Sequence, residues 1–428
     1  MNEPIHQSDG FTTSFWPIHL VLRCSKGWPG TCCEYLLLST FFYNFRSLRP
    51  ACLSTQSETF AWLANAHARA EATQARIGGR AFDESQFRDR MTHRLARFGC
   101  GQDKIASRAH ELADCSHTRW SDMQVYRLDD QPTGVGALAR TRFFTKTVEG
   151  VFDRLYSECG TPPTDILHVT CTGYDSPSAA QRMVARKGWG ANTRVFHVYH
   201  MGCYAAFPAL RVAGALATGS GRLGPSLFSP IDVVHTEICS LHLSPLAHTP
   251  EQLVVQTLFA DGFIAYGVVD QSSWNQRSPA LELLAQDEQI VPDSTDAMTW
   301  TCSDWGMEMG LSREVPERIA GVLVAFVDRL AERAGVGHQE LREAVYAVHP
   351  GGPKILDRAR EVLRLDETQL ACSRKVLLQR GNMSSATLPH VWMELIHDTD
   401  IAAGRAIVSL AFGPGLTICG AIMRKVTG

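Results

Sequence analysis

The stretch Tyr199-His200-Met201-Gly202-Cys203-Tyr204-Ala205-Ala206 joins an apolar run to an alanine- and leucine-rich segment. The residues before it, Thr193 to Tyr199, are rich in β-branched and aromatic side chains and predict a buried strand. Apolar side chains after it, such as Phe207 and Leu210, recur at helical spacing and predict a helix that begins near Cys203. Unpaired amide groups and the positive dipole end at a helix start favour a thiolate, so Cys203 is a candidate nucleophile. The alternative at this point is a buried structural cysteine.

Two other stretches supply the partners that a thiol nucleophile needs. In His349-Pro350-Gly351-Gly352-Pro353-Lys354 a histidine precedes a turn, and Pro353 is well placed to open the helix that follows. In Gly381-Asn382-Met383-Ser384-Ser385-Ala386 an asparagine lies in a loop whose serines can cap the next helix. A cysteine that takes an acyl group, with an imidazole and a carboxamide that donate hydrogen bonds to the developing oxyanion, is the set that acyl transfer requires.

Together with Phe412-Gly413-Pro414-Gly415-Leu416-Thr417, these motifs resemble those of the chalcone/stilbene synthase family, the type III polyketide synthases of the thiolase superfamily. The similarity runs from about Tyr35 to the C-terminus. It implies an α/β thiolase fold in which two pseudo-duplicated strand-helix halves form a five-layer αβαβα core. The implied organisation is an N-terminal extension of unknown role (1–34), a half that carries the cysteine (35–270) and a half that carries the histidine and asparagine (271–428).

The resemblance also implies a mechanism. Cys203 attacks an acyl thioester, and His349 and Asn382 then stabilise the enolate of a second thioester, which condenses with the bound acyl group. The β-ketoacyl product of this Claisen-type reaction can cyclise, for example to a pyrone. Two alternatives stay open: a non-condensing acyltransferase that delivers the acyl group to a hydroxyl or amine, and a scaffold pseudo-enzyme. The intact Asn382 favours condensation, because ester-forming relatives can dispense with a group tuned for an enolate.

Further residues are expected around the substrate from the same resemblance. Phe259, in Leu258-Phe259-Ala260-Asp261-Gly262, matches an aromatic gatekeeper between the pantetheine tunnel and the active site. Leu281 stands where plant chalcone synthases tend to have a second gatekeeping phenylalanine, so the cavity should differ from theirs. The full set of implied substrate-binding residues is Cys171, Thr172, Cys239, His242, Phe259, Leu281, Ser384, Gly413 and Pro414.

A basic segment, Phe87 to Arg97, resembles the family region where cationic side chains meet the phosphates of the pantetheine carrier. Arg94 and Arg97 are the candidates for that role. A solvated helix face explains the same charges equally well, and spacing alone does not decide between the two.

The substrates implied are thioesters of coenzyme A or of acyl carrier protein phosphopantetheine, with no tightly bound cofactor. The departures from the plant-type pattern, Leu281 and His242 among them, are closest to bacterial stand-alone ketosynthases, some of which form α-pyrones. The resemblance also implies a homodimer.

Composition limits the remaining classes. A chain of 428 residues with 45% apolar and 20% charged residues is expected to fold into two subdomains or one large α/β domain. The net charge of −3 gives no reason to expect nucleic acid or an anionic membrane as a partner. Thirteen scattered cysteines without a C-x-x-C pair predict free thiols in a cytoplasmic protein and no zinc site. Gly219 to Gly224 matches G-x-G-x-x-G but follows a helix, so a dinucleotide role is not expected.

Overall fold

The computed structural model describes residues 39–219, 230–274 and 278–427. The expected extension 1–34 and most of the segment 219–224 lie outside these ranges. The strands of the described residues are β1 Thr40–Leu48, β2 Cys52–Thr55, β3 Ser107–His110, β4 Asp165–Thr170, β5 Arg194–Tyr199, β6 Ile231–Ile238, β7 Asp261–Asp270, β8 Ala280–Ile290, β9 Met298–Cys302, β10 Met307–Leu311, β11 Val345–Val348, β12 Ala406–Gly413 and β13 Thr417–Val426. The α-helices are α1 Gln56–Ile77, α2 Glu84–Phe98, α3 Ala137–Leu155, α4 Ala179–Arg186, α5 Ala206–Gly219, α6 Pro250–Leu258, α7 Val315–Ala334, α8 His338–Glu343, α9 Pro353–Leu363, α10 Ala371–Arg380 and α11 Thr387–His397.

Nine of these strands form one sheet in the order β11-β12-β13-β8-β1-β7-β6-β4-β5. Strand β1 lies at the centre and pairs antiparallel with β7 on one side and with β8 on the other. The strands from before residue 270 therefore occupy one side of the sheet and those from after it the other. Two short antiparallel pairs, β2 with β3 and β9 with β10, stand apart from this sheet.

The two halves of the sheet enclose a central layer of helices, and a further layer of helices covers the outer face of each half. Strand side chains alternate between faces, and neighbours such as Val233 and Val234 accordingly enter different hydrophobic clusters. Helices α5 and α11 form the central layer, because their apolar residues pack with those of both β6 and β13. Helices α3 and α4 cover the outer face of the first half, and α7 and α9 that of the second. The α/β thiolase-type fold with its five αβαβα layers is thus confirmed.

Two local predictions need correction. The strand before Cys203 was expected to be buried, but none of the residues of β5 is, and Phe196 is 38% exposed. The physical reason is its position, since β5 is the last strand of the sheet and pairs only with β4. The serines after Asn382 do not cap the next helix, because α11 follows Ala386 and has no side-chain cap. By contrast, Pro353 opens α9 as expected.

Phe326 offers a test of the outer layer that α7 forms. It is fully buried against β13, where a Cβ on Gly420 would come within 2.7 Å of its ring. We expect Phe326→Ala to lower the free energy of unfolding by about 3–5 kcal/mol, because it leaves a cavity. Val324→Ala, on the same helix and 45% exposed, is the matched control and should change it little. Urea unfolding followed by circular dichroism measures both, and equal effects would contradict the assigned layer.

Candidate active site

Cys203 lies in a tight turn between β5 and α5. The turn is a 3-10 segment, Gly202–Tyr204, and Gly202 has a φ of +75°, which favours glycine. A Cβ at this position would also stand 2.5 Å from Cδ of Pro414, so any other residue would collide with the end of β12. The amide N–H of Gly202 donates to Sγ of Cys171 at 3.0 Å. Backbone geometry and the neighbouring loop thus fix the position of the thiol.

The electrostatics of Cys203 differ from the sequence expectation. Burial raises the pKa of its thiol to about 12, and the nearby carboxylate of Glu237 adds to the rise. Hydrogen bonds from Ser384 and Asn382 act in the opposite direction but do not offset it. Burial of Cys203 therefore opposes the thiolate that the helix start was expected to favour.

His349 follows β11 and is held by its backbone. Its N–H donates to Leu410 O at 2.8 Å, which extends the pairing of β11 with β12. The side chain is buried, and neither ring nitrogen has a hydrogen-bond partner in the described residues. Burial lowers the pKa of the imidazole to about 3, so it is neutral at physiological pH. A neutral imidazole can accept a proton at one nitrogen and donate from the other.

Asn382 is oriented by both its backbone and its side chain. Its backbone pairs with the end of α6: Ala260 N donates to Asn382 O at 2.8 Å and Asn382 N donates to Leu258 O at 3.0 Å. Its Oδ1 accepts hydrogen bonds from Ser384 N at 2.9 Å and Thr387 Oγ1 at 3.2 Å. With Oδ1 occupied, the amide NH₂ remains as the donor toward Cys203.

A hydrogen bond from Asn382 acts on the thiol of Cys203, so a residue of the second half of the chain reaches the nucleophile. Gly352, three residues after His349, faces the side chain of Leu258, whose carbonyl accepts the Asn382 amide. The strand before His349, β11, pairs with β12, and the residue after β12, Pro414, lies against Gly202 beside the nucleophile.

Cys203 opens onto a cavity of about 530 Å³. Most of the expected substrate-binding residues line it, namely Cys171, Thr172, Cys239, His242, Phe259, Ser384 and Pro414. Gly413 lies just behind, where a Cβ would stand 2.3 Å from the ring of Tyr204. Leu281 does not line the cavity and its placement there is corrected. It is 0% exposed, opposite Phe42 and Lys425 in the sheet, because at the start of β8 its side chain faces the central helical layer.

One wall of the cavity was missed by sequence reasoning. The hairpin β9–β10 contributes Met298, Trp300, Met307 and Met309. Trp300 Nε1 donates to Cys171 O at 2.8 Å, which ties the hairpin to the loop beside the nucleophile. The signal was present in the alternation of large apolar residues with threonine and glycine in this segment, which is typical of strands.

Residues 148–270 match the sequence profile of the chalcone and stilbene synthases, N-terminal domain, and residues 282–427 match that of the C-terminal domain. Type III polyketide synthase A of Arabidopsis thaliana is 30% identical over 277 residues, 63% of this chain and 68% of the relative. Type III polyketide synthase 21 of Oryza sativa subsp. japonica is 31% identical over 277 residues, 63% and 69% of the two chains.

The chain belongs to the chalcone and stilbene synthase family. It is a condensing enzyme of the polyketide synthase type, and neither the non-condensing acyltransferase nor the scaffold is favoured. Two solved structures have the same fold. The C-terminal type III polyketide synthase domain of Steely1 from Dictyostelium has a TM-score of 0.72 at 23% identity, covering 91% of this chain and 100% of that one. PKS-I from the brown alga Ectocarpus siliculosus has 0.75 at 21%, covering 91% and 99%.

The two arginines carried over from the family lie near the cavity but not in its wall. Arg94 Nη2 donates to His248 O at 2.6 Å, and both Arg94 and Arg97 stack on the ring of Phe98. Their helix, α2, packs beside α6, which lines the cavity.

Within the described residues, no group of three or more potential ligand side chains could hold a metal ion. None of the described helices combines the length and apolar character needed to cross a membrane.

Glu237 is a second feature that sequence reasoning did not assign to the site. This fully buried carboxylate accepts hydrogen bonds from Cys171 N at 3.1 Å, Thr172 Oγ1 at 2.9 Å and Ser385 Oγ. Burial raises its pKa to about 7, although these hydrogen bonds act in the opposite direction. The group that opposes ionisation of Cys203 therefore changes its own charge near neutral pH.

The position of Gly202 can be tested by substitution. We expect Gly202→Ala to slow acylation of Cys203 by about 10²-fold, because displacement of a reacting group by about 1 Å has that effect. Gly150→Ala, on α3 with no atom within 4 Å of the added Cβ, is the control. Intact-protein mass spectrometry after mixing with an acyl thioester measures both. Normal acylation of the Gly202 variant would show that the close contact with Pro414 is not limiting.

The coupling between Cys203 and Glu237 predicts a pH effect. Alkylation of Cys203 by iodoacetamide should be slow at pH 7 and rise about tenfold per pH unit toward its pKa of about 12. In Glu237→Gln the negative charge is gone, so the thiol pKa falls and alkylation at pH 8–9 should be faster than in the wild type. Below pH 7, where Glu237 is protonated in the wild type, the two rates should converge.

Mass spectrometry of the alkylated peptides resolves Cys203 from the other thiols. The exposed Cys302 reports the intrinsic reagent rate, and Glu332→Gln, on the exposed side of α7, is the matched charge control. A wild-type Cys203 that reacts as fast as Cys302 at pH 7 would contradict the buried, protonated thiol. Identical profiles for the wild type and Glu237→Gln would contradict the coupling.

Proposed function

We propose that this enzyme joins acyl thioesters by a Claisen-type condensation in which Cys203 is the nucleophile and His349 and Asn382 are its partners. The observation that carries the proposal is the hydrogen bond from Asn382 to the buried thiol of Cys203, which lines the cavity. It is supported by the held Oδ1 of Asn382 and by the buried imidazole of His349, whose ring nitrogens have no partner among the described residues. The family membership established above supports the same reaction.

In the first half-reaction, His349 takes the proton of Cys203 as the acyl thioester enters. The thiolate formed accepts hydrogen bonds from Asn382 and Ser384 and attacks the thioester carbonyl carbon. The carbon–sulfur bond to the carrier breaks, and the carrier thiol leaves with the proton from His349. The backbone N–H of Cys203 is the candidate donor to the oxyanion.

In the second half-reaction, a carboxylated thioester such as a malonyl thioester binds at the same place. The Asn382 NH₂ and the His349 N–H donate hydrogen bonds to its carbonyl oxygen while the bond to the carboxylate breaks and CO₂ leaves. The resulting enolate attacks the acyl carbonyl on Cys203, a carbon–carbon bond forms and the carbon–sulfur bond to Cys203 breaks. The cysteine leaves as a thiolate and takes a proton from solvent water. The product is a β-ketoacyl thioester, which can extend again or cyclise to a pyrone or similar ring.

The substrates of this proposal are thioesters of coenzyme A or acyl carrier protein, which pass Phe259, with Arg94 and Arg97 nearest the carrier phosphates. No tightly bound cofactor takes part. The nucleophile comes from a half that spans 35–270 and its partners from one that spans 271–428. A homodimer in the cytoplasm completes the proposal. The exposed β5 edge beside the loop after β4 supports the dimer, since unpaired strand edges are suited to association.

Asn382 separates the two half-reactions experimentally. Intact-protein mass spectrometry is performed with acyl-CoA and acyl-carrier-protein donors of several lengths, followed by a malonyl thioester. We expect an acyl adduct on the wild type but not on Cys203→Ala, and its consumption should yield a product with a new carbon–carbon bond. Asn382→Ala should still be acylated but condense about 10²–10³-fold more slowly, because it lacks one donor to the enolate oxygen. Asn192→Ala, in an exposed turn, is the control.

The outcomes discriminate between functions. Adducts that are discharged only by alcohols or amines, without a new carbon–carbon bond, would replace condensation with simple acyl transfer. Equal loss of both half-reactions in Asn382→Ala would remove the enolate role from that residue.

A further inference from the structure

Arg108 is a cation buried behind the active site, and it forms no ion pair within the part of the chain that the structure describes. It lies in β3, outside the large sheet, and is 5% exposed. Its guanidinium makes hydrogen bonds only to uncharged groups among the described residues, and Nη2 has no partner there. Burying a charge costs stability unless strong hydrogen bonds offset it. The hydrogen bonds that Arg108 makes must therefore offset the cost of burying its charge.

Those groups form the C-terminal end of α6. Arg108 Nη1 donates to Gln256 O at 3.0 Å and to Phe259 O at 2.5 Å. Carbonyls at a helix C-terminus lack intrahelical partners and carry partial negative charge, so a cation there is favourable. Arg108 Nε donates to Gln56 Oε1 at 3.0 Å, and Gln56 in turn donates to Thr257 O at 2.7 Å. The arginine and its glutamine partner together fix the chain that leads into Phe259.

The same segment holds Asn382. Leu258 and Ala260, on either side of Phe259, make the two backbone hydrogen bonds to Asn382. Arg108 also packs directly against Gly381, the residue before Asn382. Gly381 has a φ of +71°, and a Cβ there would come within 3.1 Å of Cγ and Cδ of Arg108. One side chain thus contacts both the gate residue and the loop that presents the carboxamide.

Arg108 also borders the space behind the gate. A small cavity of about 30 Å³ is lined by Arg108, His110 and Ser240, and it shares Leu243 and Phe259 with the substrate cavity. Phe259 therefore borders open space on two sides, while it also packs against the hydrophobic cluster of the second half. The bond from Arg108 to its carbonyl holds the backbone of this residue from the side of the small cavity.

We propose that Arg108 is a positioning residue for the second half-reaction, holding Phe259 and Asn382 in register with each other. The inference rests on the proposed function, in which Asn382 stabilises the enolate, whereas Cys203 can be loaded without it because Ser384 also donates to the thiolate. Loss of Arg108 should therefore impair decarboxylation and condensation while acylation at saturating donor continues. A residue that served only general stability would affect both half-reactions alike.

The test compares Arg108→Met and Arg108→Lys with the wild type in separate half-reactions. Acyl-adduct formation on Cys203 is followed by intact mass, and malonyl decarboxylation and product formation are followed by chromatography. We expect the Met variant to acylate within about threefold of the wild type. Its decarboxylation and condensation should fall by about 10²-fold, the effect of displacing a reacting group by about 1 Å. The Lys variant, which keeps a donor for the α6 carbonyls, should recover part of the loss.

Arg46→Met is the matched control, because Arg46 also bonds a carbonyl and a side chain, Leu155 O and Asp232, but far from the site. It should lower the thermal midpoint without changing the ratio of condensation to acylation. An unchanged ratio in both Arg108 variants, whatever their stability, would overturn the inference. If the Met variant does not fold, the Lys variant decides by the same ratio. A wild type that forms no acyl adduct would instead refute the proposed function.

Discussion

The site depends on two backbone hydrogen bonds that join Asn382 to Leu258 and Ala260. They connect a loop from the second half of the chain to the end of α6 in the first half. Without them the carboxamide would be carried by a free loop, and its amide would have no defined direction toward Cys203. Because Oδ1 is also held, by Ser384 N and Thr387, the remaining donor is aimed before substrate arrives. Such preorganisation is what makes a hydrogen bond effective in a transition state.

Burial pushes Cys203, His349 and Glu237 toward their neutral forms. The pKa of Cys203 rises, that of His349 falls and that of Glu237 rises, and in each case desolvation is the largest cause. A neutral thiol and a neutral imidazole accept an uncharged acyl group without losing the solvation of a charge. Charge then appears only as the proposed reaction proceeds, in a medium of low dielectric where each fixed donor acts strongly. The loss of water around Cys203 opposes the thiolate that the helix start favours.

The sequence was sufficient for the family and the fold because the motifs around Cys203, His349 and Asn382 demand particular turns. Gly202 must adopt a positive φ and avoid Pro414, and Pro353 must open a helix. Features set by distant packing were not accessible in this way. The exposure of β5 follows from its place at the sheet edge, and the burial of Leu281 from the strand that faces it. Local periodicity does not show which strands lie beside a given strand. For this reason β5 was predicted to be buried and Leu281 was placed in the cavity.

The two walls of the cavity differ in structure, and this difference explains why the hairpin β9–β10 was missed and what it contributes. The proposed catalytic groups lie at strand and helix ends whose backbone is held on both sides, so their geometry tolerates little change. The opposite wall consists of β9 and β10, a two-stranded pair separate from the main sheet, with Met298, Met307 and Met309 facing the space. Methionine side chains adapt to irregular ligands because they are unbranched and polarizable. A rigid site for chemistry beside an adaptable wall lets the acyl chain vary while the reacting atoms stay in place. Substrate choice is therefore best sought in the hairpin, not among the motifs that identify the family.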